Sequence, residues 1–516
     1  MAFERDLDVG VLKGDAMGAR LNLLSALMFL AGAAIVLRVL WLGLSGTSSK
    51  TYDIAAAKAR PDIVDRNGAT IALDLPAFDI YVDKSFSGDA RDAGVKAAAL
   101  LHLPPTEVMA KIEAAKQQGK FNYIARKVPP EAKSLLAPLG FGSLPSKRRA
   151  YPDGALFRHL LGSVDIDGIG TSGMEKYLDA SGLVSHKKVQ LSVDRYIQTS
   201  VRTNLDQARR EWGAKEAAGI VMDVQSGEIL ALVSLPDENA GQDSASENHA
   251  TGSRYEPGSV MKIFNHALAI ENGYPRDRKF NVAKPFFIGS FRVRDSHPPK
   301  DVISMDEAFV FSSNVASAQI AMDLGANSQA EFFKKLGFFE PVVLELPELR
   351  RPSYPSRWTD VSTASAAYGY GVAITPLHIL IAANSIVNYG MSVRPTLLKR
   401  NPDEARRYVQ MVRFETALEM KTLMGRVVEE GTGKRAAKSK TSVMGKTGTA
   451  MKLVGGEYSP DHLRTFFFSA FPSESPKYTM LIMLYEARNN GCFGAACTAV
   501  EVSRRIIDEI EPMLNL

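Results

Sequence analysis

Cysteine is nearly missing: in 516 residues only Cys492 and Cys497 occur. Two thiols are too few for a disulfide scaffold, and neither a Cys-X-X-Cys pair nor a His-Glu-X-X-His helix is present, so no metal site is expected. A surplus of one charge is missing as well. Sixty-two Lys and Arg against 57 Asp and Glu leave a formal charge of +5; without a basic stripe this gives no footprint for nucleic acid. Tandem repeats and long low-complexity segments are also lacking, which sets aside solenoids and propellers. What remains is an ordinary globular composition, 45% hydrophobic and 23% charged, in a chain long enough for about three units of roughly 150 residues.

Long apolar runs are lacking too, with one exception at residues 21–44. The stretch 21–37 carries no charge, and beyond Arg38 the apolar run continues through residues 39–44. As a helix it reaches about 36 Å, enough for a bilayer core of roughly 30 Å if Arg38 snorkels to the headgroups. Trp41 then sits in the interfacial belt. The small residues Ala31-Gly32-Ala33-Ala34 lie inside the run and are followed by Ile35, Val36 and Leu37, which argues for a retained anchor over a cleaved leader. Arg5, Lys13 and Arg20 precede the segment, whereas residues 39–57 contain Lys50 alone among residues of that charge. Residues 1–20 are therefore expected in the cytoplasm and the rest outside. In an oxidising compartment the two cysteines can pair; free packed thiols in the Gly/Ala-rich run 491–496 are an equal alternative.

Two folded regions are expected after the anchor. The first, 50–187, mixes an extended piece at 78–82 with helical patterns at 91–103 and 105–118. The second, 188–516, opens with apolar strands at 219–224 and 229–235 around the turn Gln225-Ser226-Gly227. It closes with strands at 465–471 and 478–485 and an amphipathic helix at 500–514. Helical patterns such as 317–324 and 375–388 fill its middle. Strands at both ends around a helical middle predict an α+β domain, one antiparallel sheet flanked by helices.

Three motifs in the second region carry chemistry. Glu256-Pro257-Gly258-Ser259-Val260-Met261-Lys262 places Ser259 and Lys262 three residues apart at a predicted helix start, on one face. A serine hydroxyl needs a base to become a nucleophile, and a desolvated lysine near other cations is neutral enough to serve. The same spacing at Ser185-His186-Lys187-Lys188 is most simply a solvated linker. Ser312-Ser313-Asn314, after a helical segment at 305–311, offers a hydroxyl and an amide together, although taken alone a helix N-cap or turn is the better reading. Gly445-Lys446-Thr447-Gly448-Thr449-Ala450 suits an edge strand where a glycine lets another backbone come close and a cation beside hydroxyls receives a carboxylate-bearing peptide. A phosphate loop is excluded because Lys440 stands where its first glycine belongs.

Together these motifs resemble the Ser-X-X-Lys, Ser-X-Asn and Lys-Thr-Gly set of the penicillin-binding serine transpeptidases. Residues 59–68 look like the opening of the pedestal in class B members, and Arg149-Ala150-Tyr151-Pro152 with Gly170-Thr171-Ser172-Gly173-Met174-Glu175 like its close. The resemblance thus implies a transpeptidase domain at 188–516 on a mixed α/β pedestal at 50–187, with 21–44 as a single transmembrane helix. Tyr255-Glu256-Pro257-Gly258-Ser259 and Ser312-Ser313-Asn314 look more like the division-specific septal type than its elongation counterpart. Ile263 after the lysine, His249 in place of an arginine and the loose Gly491-to-Ala496 stretch depart from the family pattern without removing a catalytic group.

The implied reaction is cross-linking of peptidoglycan stem peptides through an acyl-Ser259, with β-lactams as covalent inhibitors. Lys262 is the implied base, Ser312 and Lys446 the proton relay, and Asn314 the holder of substrate and Lys262. Thr447, Gly448 and Thr449 line the substrate, and the backbone N–H groups of Ser259 and Thr449 form the oxyanion hole. No cofactor is implied. A lipid II polymerising glycosyltransferase, other septal division proteins and the inner membrane are the implied partners, with the catalytic part periplasmic. An elongation-type class B transpeptidase, or a non-catalytic β-lactam sensor or scaffold, is the alternative. His297 and Asp295, before the second motif, form a possible acid/base pair, for which a solvated loop is the expected reading.

Overall fold

The computed structural model describes residues 59–237, 247–296, 298–401, 407–489 and 491–514, with a few helical positions between 26 and 36. The expected cytoplasmic tail, most of the expected membrane helix, and His297 lie outside the described residues. Met28, Leu30 and Val36 are helical and exposed; among the described residues no helix is long and apolar enough to cross a membrane.

The chain from Ala59 onward forms one unit whose main sheets are two five-stranded ones. In the first sheet, β1 (Asp62–Val64) turns antiparallel into β2 (Thr70–Val82), and β2 pairs on with β3 (Asn122–Val128) and β4 (Gly142–Ala150). Its last strand, β5 (Lys188–Gln190), pairs parallel with β1, so the sheet closes with residues just beyond 187. Between β2 and β3 run α1 (Ala90–Leu101) and α2 (Pro105–Gln118). α1 starts where Asp89 accepts from the N–H groups of Arg91 and Asp92; α2 starts with Pro105 in its first turn, where no amide is needed, and ends at Gly119. The stripe Val108, Ile112 and Ala115 seats α2 on Ile80, Val82 and Ile124 in a separate apolar cluster.

The segments that suggested a pedestal meet through a buried ion network. Arg60 donates to Glu175 and Asp179, both at 2.8 Å; Arg149 donates to Glu175 at 2.6 Å and Asp74 at 3.2 Å. Arg60 also donates to the carbonyl oxygens of Gly168 and Glu175, and Arg149 to that of Pro61. Each buried guanidinium is therefore met by carboxylates and carbonyls.

The second sheet is antiparallel throughout: β6 (Glu216–Asp223), β7 (Ile229–Leu235), β8 (Met444–Val454), β9 (Glu457–Phe471) and β10 (Tyr478–Tyr485) lie in the order β8-β9-β10-β6-β7. Both predicted hairpins are present, and the Lys446 segment lies on the edge strand, as its composition suggested. Alternation sends Val221, Phe467 and Ile482 to one face, under α3 (Arg195–Trp212) and α4 (Ala499–Ile510). Ile220, Phe466, Phe468 and Leu481 point to the other face, into a core shared with Phe264, Leu377 and Leu380 of the helical middle. The α+β architecture matches the expectation.

Candidate active site

Ser259 sits on the 3-10 turn Gly258–Met261, and the α-helix Lys262–Glu271 begins directly after it. In 3-10 geometry residues i and i+3 eclipse, so Lys262 Nζ lies 2.8 Å from Ser259 Oγ. Sequence spacing anticipated a shared α-helical face; the tighter turn gives the contact instead. Gly258 has φ +57°, and a Cβ there would lie 2.6 Å from the carbonyl oxygen of Thr449. At Gly448 a Cβ would come within 2.7 Å of the Pro257 carbonyl oxygen. These two glycines let the edge strand and the Ser259 turn touch.

The second motif bridges two helices. Met305–Val310 ends just before it and Asn314–Leu324 begins with it, Ser313 capping the latter by accepting from Ala316 N. The capping reading of this triplet is therefore correct for Ser313, while its neighbours turn to the lysines. Ser312 adopts φ +64°, strained for a residue with a Cβ. Its carbonyl and hydroxyl oxygens accept from Lys262 Nζ at 2.6 and 3.2 Å, and Asn314 Oδ1 accepts at 2.8 Å. From the edge strand, Lys446 Nζ donates to the same Ser312 hydroxyl at 2.9 Å and lies 5.6 Å from the Phe309 ring. One serine hydroxyl thus stands between two lysine amines.

Both lysines are wholly buried, and among the described residues neither forms an ion pair. Desolvation brings the Lys262 amine from 10.5 down to about 7, the field of Asp295 opposing the shift. The Lys446 amine is held well below its ordinary value by burial and by the neighbouring Lys262. A neutral Lys262 amine has a lone pair that can take the Ser259 hydroxyl proton across the existing 2.8 Å contact. His266, one turn beyond Lys262, is buried and pushed down to about 3, so it brings no positive charge to the two amines.

Thr447 and Thr449 take different partners. The Thr447 hydroxyl is 2.5 Å from that of Thr432, and Thr449 Oγ1 accepts from Ala495 N at 3.2 Å. Ala495 lies in a turn closed by a disulfide between Cys492 and Cys497, which resolves the alternative left open in favour of pairing. Asp295 is a correction: it is half-buried, not a solvated loop residue. Its carboxylate accepts from Ser313 Oγ and Asn314 N, each at 2.5 Å, and from Val315 N at 3.1 Å, so it fixes the start of the helix that carries Asn314. Thr432 and Ala495 were not legible as site residues because a loop hydroxyl or a backbone amide shows no partner until the chain is folded. The Ser185 segment is exposed, as expected, but it is not a free linker: Ser185 ends a 3-10 turn and Lys188 starts β5.

All eight residues expected from the motifs, Ser259, Lys262, Ser312, Asn314, Lys446, Thr447, Gly448 and Thr449, come together here. The chain as a whole is similar to known proteins. Residues 217–507, more than half of the chain, match the model of the penicillin binding protein transpeptidase domain, and residues 56–204 that of the penicillin-binding protein dimerisation domain. The chain is 32% identical over 487 residues to the probable peptidoglycan D,D-transpeptidase FtsI of Caulobacter vibrioides, covering 89% of this chain and 82% of that one. It is 25% identical to the peptidoglycan D,D-transpeptidase FtsI of Escherichia coli, covering 93% and 89%. A peptidoglycan synthetase from Bifidobacterium adolescentis shares the fold with a TM-score of 0.70 at 20% identity, over 89% of this chain and 96% of that one.

Proposed function

The chain belongs to the penicillin-binding protein transpeptidase family as a class B member, and from that premise we propose that it cross-links peptidoglycan stem peptides during septal wall synthesis. The observation that carries the reading is the 2.8 Å contact between Ser259 Oγ and a buried Lys262 amine brought to about 7. Neutral Lys262 takes the hydroxyl proton as Ser259 Oγ attacks the carbonyl carbon of the penultimate D-Ala. The backbone N–H groups of Ser259 and Thr449 receive the developing oxyanion. Collapse breaks the peptide bond; the departing D-Ala nitrogen receives its proton through the Ser312 hydroxyl, which links Lys262 and Lys446. An amine of a neighbouring stem peptide then attacks the acyl-serine, gives up its proton along the same route, and restores Ser259.

Asn314 holds Lys262 through Oδ1 and offers Nδ2 to the substrate amide. Lys446 with the Thr447 and Thr449 hydroxyls receives the terminal carboxylate, while Gly448 leaves the edge strand open for the peptide to pair. A β-lactam enters the same path, its ring nitrogen staying tethered after the amide opens. Residues 21–44 anchor the chain in the inner membrane with residues 1–20 in the cytoplasm; the exposed helical Met28, Leu30 and Val36 and the disulfide suit that placement. The pedestal and anchor engage septal division proteins and the lipid II polymerising glycosyltransferase, leaving the chemistry to residues 188–516.

Labelling with a fluorescent penicillin, wild type beside Ser259→Ala, tests the enzyme: only wild type should carry the label, on Ser259 by peptide mapping. Depletion in cells tests the subtype, with filaments expected. Round cells would assign the chain to elongation instead.

A further inference from the structure

The disulfide turn beside the edge strand has no role in the reaction above, yet it is wired into the site at two points. Cys492 and Cys497 enclose Phe493, Gly494, Ala495 and Ala496. The Asn489 and Cys492 backbones exchange hydrogen bonds at 2.9 Å in both directions, and Asn489 Nδ2 donates to the Cys497 carbonyl oxygen at 2.7 Å, so the turn's two ends are also tied by one asparagine. From within the turn, Ala495 N donates to Thr449 Oγ1. The Gly494 carbonyl oxygen accepts from Thr498 Oγ1 at 2.9 Å, and Thr498 Oγ1 reaches Thr465 Oγ1 at 3.0 Å. Thr465 is the ladder partner of Thr449. The turn therefore reaches both members of one cross-strand pair, Thr449 directly and Thr465 through Thr498.

We propose that the Cys492–Cys497 bond is a positioning device for the carboxylate-binding hydroxyl of Thr449. A hydroxyl has one proton and two acceptor positions. With one acceptor position taken by Ala495 N–H, the Thr449 proton is directed away from the turn and into the cleft, where it donates to the terminal carboxylate of the stem peptide. Release of the bond frees residues 492–497 from their closed ring, Ala495 N drifts from Thr449, and the hydroxyl loses its fixed orientation. Binding of carboxylate-bearing ligands weakens, while Ser259 and Lys262, which the turn does not touch, keep their geometry. The proposal rests on the transpeptidase reading and adds to it a contribution from outside the three motifs.

The test uses the full-length chain in detergent, oxidised or treated with dithiothreitol, which is itself oxidised as the cystine becomes two thiols; thiol titration verifies the state. Rates of Ser259 acylation are measured over a range of concentrations, with a penicillin and with its carboxylate methyl ester. Reduction, or Cys492→Ser with Cys497→Ser, should weaken apparent penicillin binding about tenfold, the scale of one hydrogen bond to a charged group. The limiting acylation rate should hold, the ester should respond little, and Thr449→Val should remove the sensitivity to reduction. Equal penicillin kinetics in both redox states, an equal loss for acid and ester, or an undiminished effect in Thr449→Val would overturn the proposal. An oxidised wild type that takes no label at all would overturn the transpeptidase reading and this inference with it.

Discussion

Two groups of buried cations lie in this chain, and they are treated in opposite ways. In the pedestal, Arg60 and Arg149 are nearly inaccessible, and each is met by carboxylates, Glu175 touching both. In the active site, Lys262 and Lys446 are equally buried but meet hydroxyls, an amide oxygen and carbonyls. The one acidic group that acts on Lys262, Asp295, spends its carboxylate on a helix start. Pairing compensates the buried charge of the arginines and ties three sequence segments together. Withholding a partner lets desolvation remove the charge, which turns a lysine into a base. An arginine cannot play the second part, because its guanidinium does not lose its proton in a protein.

The comparison breaks most severely if Lys262 is removed. Lys262→Ala should slow acylation of Ser259 by penicillin about 10²- to 10⁴-fold, since the nucleophile loses its base, as followed by stopped-flow or quenched labelling. Breaking the pedestal pair has a different readout. Glu175→Ala leaves Arg60 and Arg149 facing each other with less compensation and should lower stability by about 3–5 kcal/mol in denaturant unfolding, while the folded fraction still acylates at the wild-type rate.

A carboxylate added to the site sharpens the contrast. In the wild type the acylation rate should rise about tenfold per pH unit toward a plateau entered near 7, where Lys262 loses its proton. Asn314→Asp places a carboxylate 2.8 Å from Lys262 Nζ, should move that midpoint up by about 1–3 units, and should recover much of its rate at high pH. The same depressed amines predict a stability effect of definite sign. Between about 7 and 10.5 the native state binds fewer protons at Lys262 than the unfolded chain does, so stability should rise with pH across that window.

Much of the second sheet was legible from pattern alone. The apolar hairpins follow from period-two alternation, which fixes the face each side chain takes before any partner is known. The pedestal was less legible: β1 and β5 have three residues each, and their parallel pairing joins segments that have no local reason to meet. Asp295 shows the same limit inside the site. Its position in a polar loop suggested solvent, and only the arriving backbone amides of Asn314 and Val315 gave it a structural task.

By itself the sequence determined which groups are available: a serine with a lysine three residues on, a second serine with an asparagine, and a lysine with threonines on a strand. Those are local facts, carried by residue type, spacing and turn chemistry. Only the tertiary structure decided their state. Desolvation of Lys262 is a sum over neighbours drawn from distant segments, and the orientation of Thr449 depends on an amide that arrives only when the chain has closed. Local pattern specifies where a side chain points; its proton affinity and its hydrogen-bond partners depend on everything that folds around it.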